Sequence, residues 1–434
     1  MTREATAEGT AGQLPRRRLL LGAASVALAG ACARGGCSAS TRPATRAAES
    51  GPWPEVREQF ALSPQLAHFG AMFISSHPLL VREAIERHRR GLDEDPVGYL
   101  LENNSRLRWE VIQEAARFFG ARPENVALTD STTMALALLY NGLKLEPGEE
   151  ILIEERSYYS TAESLRYKAE RAGISIQRTP LYDEPSEASA DEMIERLFQA
   201  VGPHTRVLAL TWVHSDTGVK LPIQRIAQRL KELNRARSPA ERVLLCVDGV
   251  HGFGVEAVTL SELGCDFFAA GTHKWVFGPR GTGVLYAARA ELWERCLPTI
   301  PAFGLQTTPG LEMTPGGFQS FELRWALADA FRFLGGVGMA HIHSRTRELA
   351  EALKAGLSAL KRVKLLTPRS PELSAGIVAF TVEGMKTGEV ARRLRARQCI
   401  VNPSAYGVDS VRAAPSILNT HEEVERLVEA ITRL

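Results

Sequence analysis

The amino-acid sequence predicts an α/β protein whose mostly parallel sheet is wrapped by helices. Short, continuously apolar strands alternate with stretches whose apolar residues have helical spacing. Strands that are buried on both faces have this continuous apolar character, and their alternation with helices is typical of a parallel sheet. The residues best suited to chemistry follow these strands directly, at the edge where such sheets bind ligands.

The predicted elements follow one another in a simple order. An entry segment over 53–77 holds one helix and a loop, and amphipathic helices are predicted over 78–90 and 105–119. The predicted strands cover 126–128, 151–153, 207–210, 243–247, 267–270 and 283–287. A long helix over 318–334 leads to a smaller α+β domain with a strand over 377–381 and a last helix capped by Asn419. The predicted organisation is an N-terminal segment over 53–85, a large domain over 86–310 and a small domain over 311–434.

Composition excludes several classes of partner. The chain has 434 residues, 44% of them hydrophobic and 24% charged, and its net charge is only +2. With no basic face, nucleic acid is not an expected partner. The six cysteines form no CxxC pair, so neither a disulfide framework nor a metal site is predicted.

Residues 1–33 have the features of an export signal. Arg16 and Arg17 precede an apolar stretch that is too short to span a membrane and ends in small residues. The paired arginines followed by leucines resemble a twin-arginine (Tat) signal, which exports folded proteins to the periplasm or cell envelope. The segment Ala29-Gly30-Ala31-Cys32 also resembles a lipoprotein cleavage box, with Ala29 where leucine is usual. An ordinary cleaved signal and an apolar N-terminus of no consequence are the alternatives, and residues 34–52 are predicted to be a flexible linker.

A lysine and an aspartate at the ends of two successive strands predict a pyridoxal phosphate site. Lys274 lies between apolar runs in the segment FFAAGTHKWVFG, and Asp248 ends the strand before it. Burial lowers the pKa of a lysine, so that more of it is free amine able to form a Schiff base with an aldehyde. The aspartate would keep the pyridine nitrogen protonated, which lets the ring act as an electron sink.

Two further strand ends supply candidates for the phosphate and the ring. After the strand over 126–128, consecutive hydroxyl residues open a helix, and such a helix N-terminus is a phosphate seat. Plain capping by Asp130 or Ser131 is the alternative there. Tyr158 follows the strand over 151–153 and is predicted to stack on the pyridine, with Tyr159 or a core role as alternatives.

The remaining candidates would contact the phenolic oxygen of the cofactor, its phosphate or the substrate. Ser215 or His214 would reach the phenolic oxygen of the cofactor, as would His251, while structural roles for both histidines stay open. Thr272 is predicted to bind the phosphate, and His273 either lines the substrate face or packs structurally. Arg412, on a short strand, is suited to grip a carboxylate through two parallel bonds, although most arginines are solvated.

Taken together, these motifs resemble those of the class V aminotransferase superfamily, within the fold-type I pyridoxal phosphate enzymes, and of its isopenicillin N epimerase-like members. The resemblance covers about residues 66–434 and rests on DSTT, DGVH, THKW with GPRGTG, and the tail VRAAPSILNTHEEVERL. It implies a seven-stranded large-domain sheet, a small C-terminal domain and a homodimer with shared active sites. It also implies roles for the matched residues. Lys274 would be the Schiff-base lysine, Asp248 the partner of the pyridinium nitrogen, and His251 would lie near the phenolic oxygen. Thr132 and Thr133 would bind the phosphate, Thr272 and His273 match the positions that lead into the lysine, Arg412 would bind the substrate carboxylate, and Thr314 would reach the phosphate in the neighbouring subunit.

Two departures from the family pattern bear on the reaction. Ser215 stands where many relatives have asparagine, and Arg156-Ser157-Tyr158 where a histidine often stacks on the ring. A cysteine desulfurase needs a thiol on a mobile loop before the arginine, whereas Cys399 is predicted to lie in a strand. The expected function is therefore a pyridoxal phosphate enzyme acting on an amino acid by transamination, epimerisation or elimination. The alternatives are a C–S lyase, as in the ergothioneine pathway, a cysteine desulfurase, and a non-catalytic exported binding protein.

Overall fold

Three sheets organise the protein, which a computed structural model describes over residues 51–303, 308–404 and 406–434. The predicted signal segment and most of the predicted linker, residues 1–50, lie outside the described residues. The strands are β1 (Ala67–His68), β2 (Val126–Thr129), β3 (Glu150–Glu154), β4 (Ser175–Thr179), β5 (Thr205–Thr211), β6 (Leu244–Asp248), β7 (Phe267–Gly271), β8 (Gly283–Ala287), β9 (Val363–Leu365), β10 (Val378–Val382), β11 (Cys399–Ile400), β12 (Asn402–Pro403) and β13 (Val411–Ala413).

Helices connect and cover these strands. They are α1 (Trp53–Glu58), α2 (Leu79–Glu94), α3 (Pro96–Phe119), α4 (Thr132–Gly142), α5 (Tyr159–Ala172), α6 (Ala190–Gln199), α7 (Ile223–Arg235), α8 (Leu260–Leu263), α9 (Pro309–Glu312), α10 (Phe321–Val337), α11 (Met339–Ser358), α12 (Thr387–Ala396) and α13 (His421–Thr432). None of the helices in the described ranges is long and apolar enough to cross a membrane.

The starts of α3, α10 and α13 differ from the prediction, and α10 begins at Phe321 rather than at 318. Helix α3 begins at Pro96 rather than at 105, because the Asp95 side chain accepts a hydrogen bond from the Gly98 amide and caps an earlier turn. The predicted cap of α13 is wrong, since Thr420 accepts from the Glu423 amide. Asn419 instead donates from its Nδ2 to the His68 carbonyl, at 3.0 Å, and so joins the C-terminal helix to β1.

The central sheet has seven strands in the order β2-β8-β7-β6-β5-β3-β4. Strands β3 to β7 run parallel to one another, and β8 is antiparallel to both β2 and β7. The mostly parallel sheet is thus confirmed. The sequence did not predict β4, because this edge strand is largely polar and partly exposed.

Burial on both faces explains why the central strands are continuously apolar. In β5, Leu208 and Leu210 pack into one buried cluster, while Val207 and Ala209 pack into another. Successive side chains of a strand point to opposite faces, so both faces of this sheet are covered. Each leucine buried in this way contributes about 1.5–3 kcal/mol to stability.

The C-terminal part of the chain forms a second, antiparallel sheet in the order β12-β13-β10-β9. A separate pair joins β1 to β11 in parallel, with Ala67 beside Cys399. The buried side chains of this region form their own cluster with α11 and α13. Residues Gly51–Leu434 form one compact unit, and the predicted boundary between 86–310 and 311–434 stays a prediction.

Candidate active site

A cavity of about 550 Å³ lies at the carboxyl ends of β5, β6 and β7. The first turns of α4 and α5 reach it from one side, and β12, β13 and the segment at Met72 reach it from the other. The predicted site residues that line it are Thr132, Thr133, Tyr158, Ser215, Asp248, His251, His273, Lys274 and Arg412. This position agrees with the rule that ligands bind beyond the carboxyl ends of parallel strands.

Lys274 follows β7 and presents a desolvated amine to the cavity. Burial lowers its pKa to about 8, although Asp248 acts in the opposite direction, and Arg412 lowers it further. Its Nζ lies 3.4 Å from Nε2 of His251, whose own pKa burial lowers far below the ordinary value. The imidazole therefore stays neutral, and it can hydrogen-bond to this amine without taking its proton.

The backbone of Lys274 is held by a segment far away in the sequence. Ser75 donates from its Oγ to the Lys274 carbonyl at 2.6 Å, and its amide donates to the His273 carbonyl at 3.0 Å. Phe277, one turn later, takes the left-handed conformation with φ 56°. The two hydrogen bonds from Ser75 thus hold the backbone of the turn after β7, and this limits the directions in which the Lys274 side chain can point.

Asp248 ends β6 with one carboxylate oxygen unused. Its Oδ1 accepts from the Val250 amide at 3.2 Å, while Oδ2 is buried with no hydrogen-bond partner in the described part of the chain. Burial raises the pKa of Asp248 to about 6 and Glu154 raises it further, against the Val250 hydrogen bond and Lys274. A buried carboxylate left in this state is costly unless a cationic donor meets it, and a protonated pyridine nitrogen is such a donor.

The start of α4 fits a phosphate without excluding the capping role. Ser131 caps the helix by accepting from the Met134 amide, and Asp130 is paired with Arg324 instead. Thr132 Oγ1 accepts from the Gly271 amide at 2.7 Å, which ties α4 to the end of β7. Thr133 is exposed at the cavity, so the helix N-terminus and its hydroxyls face the space that an anion would fill.

Two predicted residues lie elsewhere. Thr272 is fully buried under the turn after β7, and its side chain does not line the cavity. Its hydroxyl forms a hydrogen bond of 2.5 Å with the Thr282 hydroxyl. Thr314 is also buried, with its hydroxyl donating to the Gly310 carbonyl and accepting from the Leu128 amide. Both hydroxyls are occupied within the chain, so this geometry does not support the predicted phosphate contacts.

The far end of the cavity carries Arg412, on β13. Its Nη1 donates to the Ser215 carbonyl at 3.1 Å and to Ser215 Oγ at 2.9 Å, and its Nη2 donates to the Pro403 carbonyl at 2.9 Å. The buried guanidinium is therefore fixed in orientation, as recognition of a planar carboxylate requires.

Cys399 lies away from the cavity, as expected for a strand residue. It is fully buried in β11, and burial raises the pKa of its thiol. A buried thiol with a raised pKa is a poor nucleophile.

The aromatic residues form a cluster at one wall. The ring of Tyr158 lies 4.6 Å from that of Tyr159 and 4.8 Å from that of Tyr406. Burial and the neighbouring tyrosines raise the pKa of Tyr158, so it stays a neutral phenol. Its stacking on a pyridine ring stays a prediction.

His214 has a structural environment rather than a place at the cavity. It is buried, its Nδ1 lies 2.6 Å from the Tyr182 hydroxyl, and its Nε2 lies 3.4 Å from Glu154. Of the two residues proposed for the phenolic oxygen, only Ser215 lines the cavity. His273 also lines it, half-buried, and burial lowers its pKa to about 4.

Several cavity residues were not predicted from the sequence: Met72, Phe73, Thr211, Val250, Asn402, Pro403 and Tyr406. Apart from Val250, which lies within DGVH, they come from segments that the fold brings together from positions far apart in the sequence, and no local motif marks them. Tyr406 lies six positions before Arg412, and this nearness could have suggested it. Among the described residues, no group of His, Cys, Asp or Glu is arranged to hold a metal ion.

Comparison with known proteins gives one family and two kinds of relative. The family model described as aminotransferase class V matches residues 100–427. Isopenicillin N epimerase of Streptomyces clavuligerus is 29% identical over 88% of this chain and 98% of that protein. The protein of the same name from Amycolatopsis lactamdurans is 30% identical with the same coverage. A cysteine desulfurase of Pectobacterium carotovorum is 26% identical over 74% of this chain and 80% of that protein.

Solved structures share the fold. A lysine-to-alanine mutant of C-DES with glycine covalently linked to its PLP cofactor superposes with a TM-score of 0.79, at 23% identity, covering 87% of this chain and 98% of that one. The cysteine desulfurase of Thermococcus onnurineus gives a TM-score of 0.76 at 22% identity, covering 89% and 99%.

Proposed function

We propose a function from the premise that this chain belongs to the aminotransferase class V family: it removes a proton from Cα of an amino acid, in the manner of an epimerase. The observation that carries this proposal is the pairing of a desolvated amine, Lys274, with a carboxylate, Asp248, whose Oδ2 is buried without a partner in the same cavity. Neither group would be needed in that state for binding alone.

The protein is a pyridoxal phosphate-dependent enzyme, and its residues fit that cofactor. Asp248 Oδ2 would accept from the ring nitrogen, the N-terminus of α4 with Thr132 and Thr133 would hold the phosphate, and Lys274 would bind the aldehyde. When bound, the cofactor supplies an electron sink that stabilises negative charge on Cα of the substrate.

Three residues of the chain would act on the substrate: Lys274, His251 and Arg412. A pKa of about 8 leaves about a tenth of Lys274 as free amine at pH 7, far more than in an ordinary lysine, so it can accept a proton near neutrality. Neutral His251, 3.4 Å from Nζ, is close enough to orient the amine by a hydrogen bond. Arg412 would hold the carboxylate and so fix which bond at Cα faces the base.

The reaction type is proposed from the lining of the cavity and from the relatives. None of the described residues that line the cavity is a cysteine, and Cys399 is buried in β11. Sulfur transfer in a desulfurase requires a thiolate nucleophile, which argues against that chemistry here. Two relatives that match 88% of the chain are isopenicillin N epimerases, and this supports proton transfer at Cα as the favoured reaction.

Two measurements test the proposal. Purified protein incubated with pyridoxal phosphate should become yellow, and Asp248→Ala should weaken cofactor retention because the ring nitrogen loses its charged partner. In deuterated water, the loaded protein should exchange the Cα proton of an amino acid from a panel, as followed by NMR, and chiral chromatography should show the inverted product. A protein that stays colourless would end the enzyme proposal, and exchange without inversion would redirect it to transamination or elimination.

We also propose that the protein acts as a homodimer with shared active sites. Large apolar side chains are exposed at Val97, Leu101 and Phe318, with Phe318 79% exposed. Exposed apolar side chains of this size are typical of protein interfaces. Sedimentation of the cofactor-loaded protein should give twice the chain mass, and a monomer at micromolar concentration would contradict the proposal.

Export through the twin-arginine route is proposed for the leader. Replacing Arg16 and Arg17 by lysine preserves charge but removes the arginine pair, so folded protein should accumulate in the cytoplasm. Unchanged export would exclude the route. Labelling with a radioactive fatty acid, compared with Cys32→Ala, distinguishes a lipoprotein from an ordinary cleaved signal.

A further inference from the structure

Tyr406 lies at the Arg412 end of the cavity and has two polar neighbours there. Its hydroxyl is 2.6 Å from Ser215 Oγ and 3.5 Å from Arg412 Nη1. We propose that Tyr406 and Ser215 complete, with Arg412, a three-residue seat for the α-carboxylate of the substrate. This inference rests on the proposed function, because it assigns a new residue to recognition of the same amino acid.

The loop that carries Tyr406 is held in place through its backbone. The Val408 amide donates to Asp216 Oδ2 at 3.1 Å, and Ser410 Oγ donates to the Asp216 carbonyl at 2.7 Å. Ser404 Oγ donates to the carbonyl of Tyr406 itself at 2.5 Å. Because these bonds use none of the phenol's own atoms, the loop positions the ring and leaves the hydroxyl for the cavity.

The count of hydroxyl hydrogens leaves one donor unused. Ser215 Oγ accepts from Arg412 Nη1, and a single hydrogen joins Ser215 to Tyr406, whichever of the two donates it. The hydrogen of the other hydroxyl then has no acceptor among the hydrogen bonds of these two groups in the described residues. A spare O–H beside a buried guanidinium is suited to an anion, since it donates to negative charge that the arginine has already attracted.

The shape of this end favours a carboxylate over a phosphate. Both N–H groups of Arg412 Nη1 have acceptors on Ser215, and one N–H of Nη2 has an acceptor on Pro403. The second N–H of Nη2 and the N–H of Nε, which has no hydrogen-bond partner among the described residues, are left, a number suited to the two oxygens of a carboxylate. The rings of Tyr406 and Tyr158, with centroids 4.8 Å apart, narrow the space further. The position proposed for the phosphate lies instead at the start of α4.

A purely packing role for Tyr406 makes a different prediction, because the ring alone would serve it. Tyr406→Phe keeps the ring against Tyr158 and removes only the hydroxyl. The matched control is Tyr167→Phe, which removes a phenolic hydroxyl from an exposed position on α5 outside the cavity.

The experiment compares amino acids with the amines that lack their carboxylate. Protein loaded with pyridoxal phosphate is titrated with L-alanine against ethylamine, and with L-phenylalanine against 2-phenylethylamine, and binding is followed by the change in visible absorbance. We expect Tyr406→Phe to weaken binding of the amino acids by about tenfold, the size of one hydrogen bond to a charged group, and to leave the amines unchanged. Tyr167→Phe should match the wild-type protein with all four ligands.

The outcomes separate this inference from the function on which it rests. Equal weakening of acids and amines, or no change in either, would overturn the role of the Tyr406 hydroxyl. If the wild-type protein takes up the cofactor but prefers no amino acid over its amine, carboxylate recognition at Arg412 fails, and the proposed function fails with it. If the wild-type protein prefers amino acids to the matching amines and Tyr406→Phe loses this preference, the result supports both the role of Tyr406 and the proposed function.

Discussion

Two lysines with lowered pKa, half-buried Lys274 after β7 and buried Lys354 in α11, differ in their hydrogen bonds rather than in their pKa. Burial lowers the pKa of each to about 8. Lys354 Nζ donates to the carbonyls of Pro368 and Arg369 and, at 2.8 Å, to Ser374 Oγ. Among the described residues, Lys274 Nζ has one hydrogen-bond partner, His251 at 3.4 Å, and it faces the cavity.

This comparison teaches that a lowered pKa does not by itself make a lysine reactive. An ammonium has three donors, and at Lys354 three oxygens accept from them, so that the lysine ties α11 to the loop over 368–374. At Lys274 the amine lacks such acceptors and faces space for a ligand. We infer that reactivity here follows from missing partners at a strand end, and that the other lysine serves stability.

The largest expected effect is that only one of the two lysines reacts with the cofactor. Borohydride reduction of the cofactor-loaded protein should fix pyridoxal phosphate on Lys274 alone, as read by mass spectrometry of peptides. Lys274→Ala should lose the label and cost a factor on the order of 10²–10⁴ in Cα proton exchange, the usual contribution of a positioned base. Lys354→Met should keep the label, and label on Lys354 in the wild-type protein would break the comparison.

Arg412 extends the comparison to a cation that is buried and hydrogen-bonded but also lines the cavity. Arg412→Ala should leave cofactor fixation on Lys274 intact, because it acts at the other end. It should cost about 2–5 kcal/mol in transition-state stabilisation, the range for truncating one partner of a buried charged pair. Arg412→Lys should recover only part of kcat/KM, since an ammonium cannot make paired bonds to a carboxylate. Full recovery with lysine would show that charge alone is recognised.

Substitution of Lys354 should lower the free energy of unfolding more than substitution of Lys274, which is the reverse of their order of importance for the chemistry. Lys354→Met removes the donor from three oxygens and should cost about 1–3 kcal/mol. Lys274→Met removes a desolvated amine with few partners and should cost less than about 1 kcal/mol, as functional groups often do. Urea denaturation of the cofactor-free proteins measures both. A larger loss at Lys274 would mean that its environment is built for stability.

The pH dependence of cofactor capture should report the pKa of Lys274. Only the free amine attacks an aldehyde, so the capture rate should rise about tenfold per pH unit below the pKa and level off above it. With a pKa of about 8, the plateau should begin near pH 8 instead of above pH 10. Stopped-flow absorbance between pH 6 and pH 10 gives this profile, and a rate still rising at pH 10 would contradict the desolvated amine.

Cys399 should give the smallest effect. It lies in β11 beside β1, and its buried thiol has a raised pKa, so Cys399→Ser should change Cα proton exchange by no more than about twofold. Sulfide release from L-cysteine serves as the second readout. If Cys399→Ser abolished that release while Arg412→Ala did little, both the site assignment and the argument against desulfurase chemistry would be wrong.

The sequence by itself determined the central sheet and the cofactor end of the cavity. Strands that are buried on both faces show as apolar runs, and polar residues at their carboxyl ends must meet at one edge of a parallel sheet. Asp248, Lys274 and the start of α4 were predicted for this reason. The edge strand β4 was not, because partial exposure removes the apolar signal.

Only the tertiary structure decided the other end and the state of each group. Tyr406, Ser215 and Arg412 meet because the C-terminal sheet packs beside the end of β5, and no spacing in the sequence encodes a contact between positions 191 residues apart. The fold likewise turned the hydroxyl of Thr272 away from the cavity, and it left Oδ2 of Asp248 without a partner while giving Lys354 three. Hydrogen-bond satisfaction depends on which distant atoms arrive at each group, so residue type alone could not separate the reactive lysine from the structural one.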